Sequence, residues 1–275
     1  MNATKLFFPN YEKTPQAPGV MSRRKMWMNL SIVMTIIILY FISSIETNAS
    51  LLRFDRSFFD NVLRMLNQMW PPDMAYAPSV WPKLAETIHM AVISTLLATI
   101  VSIPLSLVAA QNVMTNKWIY NLSKTFLNVL RTIPELILAV LFVGLFGIGV
   151  FSGILALFIF SLGILAKLMA ETVEAIDTAQ MEAIQATGAN SWQVIWYAIV
   201  PQVLPQFASF SLYVFEINVR ASVVLGFVGA GGIGLLIQQQ INFLNYPAAM
   251  AVVLIVFLVV LMIDFISNRL RESLL

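Results

Sequence analysis

The chain of 275 residues contains no cysteine, a single histidine and only 11% charged residues. Without cysteine it can form no disulfide framework, thiolate zinc site, iron–sulfur cluster or cysteine nucleophile. One histidine, His89, also argues against a histidine-based metal cluster, so we predict no metal site. The Gly-x-x-x-x-Gly-Lys-Ser/Thr phosphate-binding sequence is missing as well, so we expect no ATP hydrolysis by this chain.

Apolar residues are abundant: the hydrophobic fraction is 59% and the mean hydropathy is +0.82. Soluble domains carry about 25% charged residues, so this composition is typical of a membrane protein. The net charge of +2 is small and the basic residues form no single stripe, which argues against a nucleic-acid partner. The acids are few and far apart and form no catalytic constellation, so we do not expect an enzyme.

Six segments are long and apolar enough to cross a bilayer as helices, which takes about 20 residues each. They are approximately 27–45, 87–110, 126–146, 150–169, 203–227 and 247–267. The sequence therefore predicts an all-α, polytopic membrane protein with about six transmembrane helices. No small-residue cleavage signal follows the first apolar run, so we interpret it as a retained anchor.

Basic residues beside the predicted spans indicate the orientation. They precede the first span, separate the second from the third and follow the last, at Arg23–Lys25, Lys117 with Lys124, and Arg269 with Arg271. The positive-inside rule places these regions in the cytoplasm, and an even number of spans places both termini there.

The segment 46–83 then lies on the extracytoplasmic side of the membrane. Its Trp70, Tyr76 and Trp81 are typical of a membrane interface. Four prolines argue against a continuous helix across this segment, because proline has no N–H to donate; they are Pro71, Pro72, Pro78 and Pro82.

The loop between the fourth and fifth spans lacks Lys and Arg, unlike the other predicted cytoplasmic regions. It contains four acidic residues instead, Glu171, Glu174, Asp177 and Glu182. Helix-forming residues are interrupted at 187–190, where Gly188 suits a left-handed helix cap, so the loop should form two short helices with a turn.

After the break, large apolar residues recur at helical spacing: Trp192, Ile195, Trp196 and Ile199. This face could lie on the membrane surface or on another protein. Periodicity alone leaves both open, together with an ordinary amphipathic loop.

Four residues of the loop stand at a family-specific spacing: Glu182 and Ala183, then Gly188, then Pro201. This pattern resembles the EAA loop of ABC-importer permeases, and the sequence departs from it at Ile184, Ala198 and Val200. The resemblance implies a coupling helix that docks in a groove of a separate ATPase subunit. The implied coupling residues are Asp177, Glu182, Ala183, Gly188, Ala189 and Pro201. We expect Pro201 to end the second short helix before the next span, and the loop's acidic character to follow from the partner's surface.

Further segments resemble phosphonate ABC-transporter permeases, whose relatives also carry phosphite or phosphate. The matching segments are 131–136, 165–171, 201–206, 215–221 and 225–234. The resemblance covers about 87–267 and implies a type I ABC-importer permease that moves its substrate by alternating access.

The same resemblance implies the partners and the location. A second permease copy would form a homodimer, two ATP-binding subunits would hold ATP and Mg, and an extracytoplasmic binding protein would deliver substrate across the bacterial plasma (inner) membrane. No cofactor is expected in this chain. We divide it into 1–83, comprising a tail, the first span and an extracytoplasmic segment, and 84–275, the transmembrane domain with its coupling loop 171–205.

A polar stripe runs along the fifth span at spacings of three and four residues: Gln202, Gln206, Ser209, Tyr213, Glu216 and Arg220. A charge facing lipid costs about 2.5 to 3.5 kcal/mol, so the stripe should face a partner helix or a watery path. Glu216 and Arg220 could pair and join helices. Alternatively, Arg220 could assist an oxyanion, because a guanidinium matches its tetrahedral oxygens. Both remain open, and the predicted pathway residues are Ser209, Tyr213, Glu216 and Arg220.

Glycines after the fifth span satisfy Gly-x-Gly-x-x-Gly, but no strand precedes them and Leu254 occupies the position of the expected acid, so a dinucleotide site is rejected. We predict a partly unwound stretch that forms an outer gate, with Gly229, Gly231, Gly232 and Gly234.

A different class of transporter stays open: an ion-coupled secondary carrier or channel acting without an ATPase. The charged pair in the fifth span would permit it, but it leaves the EAA-like loop unexplained.

Overall fold

The computed structural model describes residues 23–47 and 56–274, and most of these residues are helical. In order, the helices are α1 (Arg23–Thr47), α2 (Arg56–Met69), α3 (Ala77–Val108), α4 (Lys117–Thr132), α5 (Glu135–Phe146), α6 (Val150–Glu174), α7 (Thr178–Ala186), α8 (Ser191–Val194), α9 (Val200–Gly226), α10 (Gly232–Asn242) and α11 (Tyr246–Leu274). The chain divides into two units, 1–64 and 65–275. The first contains α1, and the second contains the helix bundle.

Five helical stretches are long and apolar enough to cross a membrane, and a bent pair raises the number to six. The stretches are Lys25–Glu46, Met74–Val108, Val150–Glu174, Ser191–Gly226 and Tyr246–Leu274, and the bent pair is Lys117–Thr132 with Glu135–Phe146. The predicted all-α, polytopic architecture is therefore confirmed.

The third predicted span is not one straight helix. α4 and α5 meet at an angle of 86°, with Ile133 extended (ψ 117°) between them and Pro134 capping α5. Proline cannot donate the helical hydrogen bond and drives the preceding residue out of the helical region. The prediction of a continuous helix over 126–146 was therefore wrong.

The second span begins earlier than predicted, at Ala77, and two of the four prolines lie within it. Pro78 occupies the first turn of α3, where no N–H is required. Pro82 lies inside the helix. The hydrogen bond that it cannot donate would have ended on the carbonyl oxygen of Pro78, in the first turn. The other two prolines, Pro71 and Pro72, do interrupt the helical structure, since they lie after the end of α2 at Met69 and before the start of α3.

The core of the bundle forms around α6, which packs against α3, α4, α5 and α9. A fully buried amide joins three of these helices: Asn218 Nδ2 on α9 donates to Thr95 Oγ1 on α3 at 2.8 Å and to Ser161 Oγ on α6 at 2.7 Å. Because buried polar groups need partners, this network fixes how the three helices meet.

Candidate functional site

The coupling loop forms the two short helices with a turn that the sequence predicts. Asp177 begins α7, its Oδ1 accepting the N–H of Ala179 at 3.0 Å. Gly188 follows α7 with φ +88°, the left-handed conformation that glycine adopts without strain. Asn190 then caps α8 in a reciprocal capping box with Gln193.

The tip of this loop is open to solvent. Glu182, Ala183 and Gly188 are exposed, and an added Cβ at Gly188 would meet no atom within 4 Å. A surface pocket of about 420 Å³ lies beside the turn, lined by Ile184, Thr187, Gly188, Ala189, Gln193 and Tyr197. The tip therefore combines an exposed turn with a surface concavity.

The large apolar residues after the turn divide between surface and core. Trp192 and Trp196 are 77% and 66% exposed, whereas Ile199 is buried. Together with Met181 and Val194, Ile199 belongs to a cluster that includes residues of α6 and α9. The predicted face is therefore split, and its inner part anchors the loop to the bundle.

Pro201 does not end the second short helix, contrary to the prediction. Helical structure continues from Ser191 to Gly226, with one π-helical turn at Ile195–Ile199. The N–H of Val200 bonds to Ile195 O, five residues back. Pro201 has no N–H to donate, so a regular α-helix would lack one hydrogen bond at this position. The wider π-helical turn just before Pro201 accommodates the missing donor.

A clamp of hydrogen bonds fixes the end of α6 just before the loop. Glu174 Oε1 accepts from Lys124 Nζ on α4 at 3.0 Å and from the N–H of Gln111 at 3.1 Å. Asn112 Nδ2 donates to the Val173 carbonyl at 2.6 Å. Sequence reasoning used Lys124 only as a marker of orientation and missed this contact, because the clamped residues are far apart in the chain.

The acidic residues of the loop have intramolecular roles that the sequence does not reveal. Glu174 pairs with Lys124, Glu171 pairs with Lys167 at 3.2 Å, and Asp177 caps α7. The acidic character was expected to follow from the partner's surface, but contacts within the chain account for three of the four acids.

Part of the polar stripe of α9 lies around Glu216, which is 8% exposed. Its carboxylate accepts from Arg220 Nη2 and, at 2.7 Å, from Arg271 Nη2 of α11. The Arg271 guanidinium also lies 5.8 Å from the ring centroid of Tyr213. The structure thus brings three of the four predicted pathway residues together, while Ser209 is buried on α9 nearly two turns before Glu216.

Arg271 completes this cluster, and sequence reasoning missed it. It stands at the end of the last helix, where it served as an orientation marker. Two guanidiniums share one carboxylate, which leaves an excess positive charge at Glu216. Asp264 adds a second acid to α11 about two turns earlier, and its Oδ1 has no hydrogen-bond partner among the described residues.

The glycine stretch after α9 is partly unwound, as predicted. Residues 227–231 lie between α9 and α10, and Gly232 and Gly234 are in the first turn of α10, where Gly232 still has φ +72°. Gly229 O accepts from the N–H of Gly149 at 3.0 Å. Gly231, with φ +83°, makes the turn into α10.

Gly234 has a packing role. A Cβ there would overlap the carbonyl oxygen of Val223, and one on Gly226 would lie 2.6 Å from Gly234 Cα. The two glycines therefore let α9 and α10 approach closely, as small residues do between membrane helices.

The described residues include no group of three or more His, Asp or Glu side chains that could hold a metal.

Comparison with known proteins decides the family. The model of the binding-protein-dependent transport system inner membrane component matches residues 102–274, more than half of the chain. The chain belongs to this family. It is therefore the permease subunit of an ABC importer, as the EAA-like loop implied, and is a transport component and not an enzyme. The alternative of a carrier acting without an ATPase is set aside.

Two relatives share a substantial part of the permease. The phosphite transport system permease protein PtxC of Stutzerimonas stutzeri is 36% identical over 212 residues, which cover 77% of each chain. The phosphate-import permease protein PhnE of Mycolicibacterium smegmatis is 39% identical over 211 residues, 76% of the permease and 40% of the relative.

Solved structures show the same fold. The permease is similar to a chain of the inward-facing MetNI methionine ABC transporter, with a TM-score of 0.63 and 23% identity over 71% of the permease and 96% of that chain. This confirms the predicted type I importer fold. Permeases of this kind work with an ATPase and a substrate-binding protein, as multi-pass membrane components of bacterial ABC importers.

Proposed function

We propose that the permease carries phosphonate or a related phosphorus oxyanion, phosphite or phosphate, into the cell by alternating access. Relatives with 36% and 39% identity are named for phosphite and phosphate, and this observation carries the proposal. The excess arginine at Glu216 agrees with anionic cargo, because guanidinium groups bind tetrahedral oxyanions through paired N–H donors.

The pathway in this proposal follows α9. Tyr213, Glu216 and Arg220 would line it together with Arg271, and Ser209 would lie nearer the cytoplasmic end. Glu216 accepts hydrogen bonds from both arginines, and an arriving oxyanion would compete with it for their N–H donors. Gly229, Gly231, Gly232 and Gly234 would belong to the outer gate, where the turn 227–231 is the part able to change conformation.

The docking site in this proposal is the loop tip. Asp177, Glu182, Ala183, Gly188 and Ala189 would seat in the ATPase subunit. Pro201 would lie behind these residues, in the first turn of α9 and directly after the π-helical turn that joins the loop to α9. Burial of Met181 and Ile199 in the bundle supports this, since a lever must be rigidly attached to transmit closure of the ATPases.

The assembly would be a homodimer of permeases with two ATP-binding subunits, which hold ATP and Mg, and one extracytoplasmic binding protein. Both termini would be cytoplasmic in the bacterial plasma membrane. Residues 84–275 would form the transmembrane domain, including the coupling loop 171–205, and residues 1–83 would add the first span and an outer segment.

The cargo is tested by reconstituting the permease with its genomically adjacent ATPase and binding protein in liposomes. We expect ATP-dependent uptake of radiolabelled phosphonate, phosphite or phosphate that requires the binding protein. Sulfate, a tetrahedral anion without phosphorus, is the matched control and should not enter at a comparable rate. Uptake of methionine or carnitine with no uptake of any phosphorus oxyanion would contradict the proposal.

A further inference from the structure

α2 separates its residues into two opposite faces. Of its 14 residues, seven are apolar and seven polar. At 100° per residue the apolar ones occupy one continuous arc of about 160°. The apolar positions are Phe58, Phe59, Val62, Leu63, Met65, Leu66 and Met69, and the polar ones are Arg56, Ser57, Asp60, Asn61, Arg64, Asn67 and Gln68.

The apolar face of α2 is largely exposed. Phe59, Val62 and Leu66 are 56%, 40% and 55% exposed. On the opposite face, Arg64 donates to Asn61 Oδ1 at 2.8 Å and to the Asp60 carbonyl at 3.3 Å. The polar face thus makes hydrogen bonds within the helix and suits water, whereas the apolar face suits a nonaqueous environment.

Hydrogen bonds just after α2 place its end beside the start of a membrane span. The Asp73 N–H donates to the Pro247 carbonyl in the first turn of α11 at 3.1 Å. Gln240 Nε2 of α10 donates to the Tyr76 hydroxyl at 3.0 Å. Met69 and Asp73 are four Cα–Cα steps apart, which reach at most about 14 Å. The end of α2 therefore lies close to the level at which α11 enters the membrane.

The helix is too short to cross the bilayer itself. Fourteen residues rise about 21 Å, against about 30 Å of hydrocarbon. A helix with large apolar residues on one side and charges on the other lies in the interface plane when a membrane is within reach. Trp70 follows α2 directly, and tryptophan is enriched at the membrane–water interface.

We propose that α2 lies flat on the membrane surface, with the arc centred on Val62 and Leu66 in the lipid and the opposite arc in water. This would be the outer surface in the orientation proposed above. The inference goes beyond transport itself and does not depend on the cargo: it gives the segment before the family-matched region a lipid-binding role, which holds the outer end of α3 at a fixed depth.

The absence of cysteine from the chain allows a direct test, since single-cysteine variants need no background substitutions. Leu66→Cys and Gln68→Cys lie about 160° apart on α2. Each is spin-labelled in the full importer in phosphatidylcholine–phosphatidylglycerol nanodiscs. Accessibility is then measured to oxygen, which concentrates in lipid, and to a water-soluble nickel chelate.

We expect the oxygen-to-nickel accessibility ratio to be severalfold higher for the Leu66→Cys label than for the Gln68→Cys label. Equal, nickel-dominated accessibility at both would place α2 in water, and a label at position 66 closed to both reagents would show a protein partner on the apolar face. Either result overturns the proposal. Val62→Cys and Asp60→Cys repeat the comparison if one of the first pair fails to assemble.

Discussion

Glu216 shows how one residue can organise several others. It is 8% exposed and accepts hydrogen bonds from arginines on two helices, Arg220 of α9 and Arg271 of α11. The sequence left two roles open for the Glu216 and Arg220 pair, a structural ion pair or a contact for the cargo. The structure contains the ion pair and adds Arg271, which neither role had included.

We predict that Glu216→Gln destabilises the permease by about 1.5 to 3 kcal/mol, the usual contribution of hydrogen bonds to a charged group, because two arginines then lose their counter-charge. The larger cost of breaking a fully buried ion pair does not apply, since the Arg220 side chain is 51% exposed. Uptake by the reconstituted importer should fall with it. Glu272→Gln is the matched control, since Glu272 is 73% exposed and its ion pair with Arg269 is long, at 3.8 Å. Thermal unfolding of the purified complexes compares the two, and equal midpoints would refute the prediction.

At the scale of elements, the reversal of the coupling loop depends on one backbone conformation. α7 ends and α8 begins within a few residues, and Gly188 with φ +88° makes the reversal. Because no atom of the described residues lies within 4 Å of an added Cβ, a larger residue there would clash with a docked partner and not with the described part of the permease.

Gly188→Val should therefore abolish uptake and weaken binding of the ATPase subunit. Valine in this conformation costs roughly 1 to 2 kcal/mol of backbone strain wherever it occurs. Gly188→Asn separates the two effects, because asparagine tolerates the left-handed conformation but still adds a side chain at the docking surface. Co-purification with the ATPase measures docking, and normal docking of Gly188→Asn beside a loss in Gly188→Val would mean that strain alone acts.

The close contact of α9 and α10 makes a second prediction at this scale. Gly234→Ala should destabilise the permease by about 1 to 3 kcal/mol, the usual cost of overpacking, since the new methyl group meets the backbone of Val223. Gly144→Ala should have little effect, because no atom lies within 4 Å of that position. Denaturation of the two variants under the same conditions provides the comparison, and an unaffected Gly234→Ala would contradict the packing role.

Across the whole molecule, the clamp at Glu174 connects the loop to the bent pair α4 and α5. It joins α4, the turn before α4 and the end of α6, next to the cluster that seats α7 and α8. If the loop docks on an ATPase subunit as proposed, its movement would be passed to α4 and α6 through these contacts, as an importer driven by soluble ATPases requires.

We predict that Glu174→Gln lowers the amount of cargo moved per ATP hydrolysed while ATP hydrolysis itself continues, because the loop then moves with a weaker hold on α4. Glu171→Gln is the control: its partner Lys167 stands on the same helix, so it ties no two elements together. Parallel uptake and ATPase measurements on liposomes give the ratio, and an unchanged ratio for Glu174→Gln would exclude this role.

The sequence by itself determined the membrane class, most of the spans, the two-helix loop and the turn at Gly188. These are properties of contiguous residues: an apolar run of sufficient length must cross the bilayer as a helix, and a glycine after helix formers marks a cap. Family resemblance in that loop also indicated the permease, because docking residues keep a fixed local spacing.

Tertiary structure alone decided which distant residues meet. Arg271 reaches Glu216, and Lys124 reaches Glu174, only because helices remote in sequence pack together, and no local pattern encodes that. Local rules also proved insufficient at two prolines. The chain bends by 86° at Pro134, whereas it continues as a helix at Pro201, which lies in the first turn of α9 directly after a π-helical turn. Proline removes one donor in both cases, and the surrounding packing determines whether the chain turns or continues.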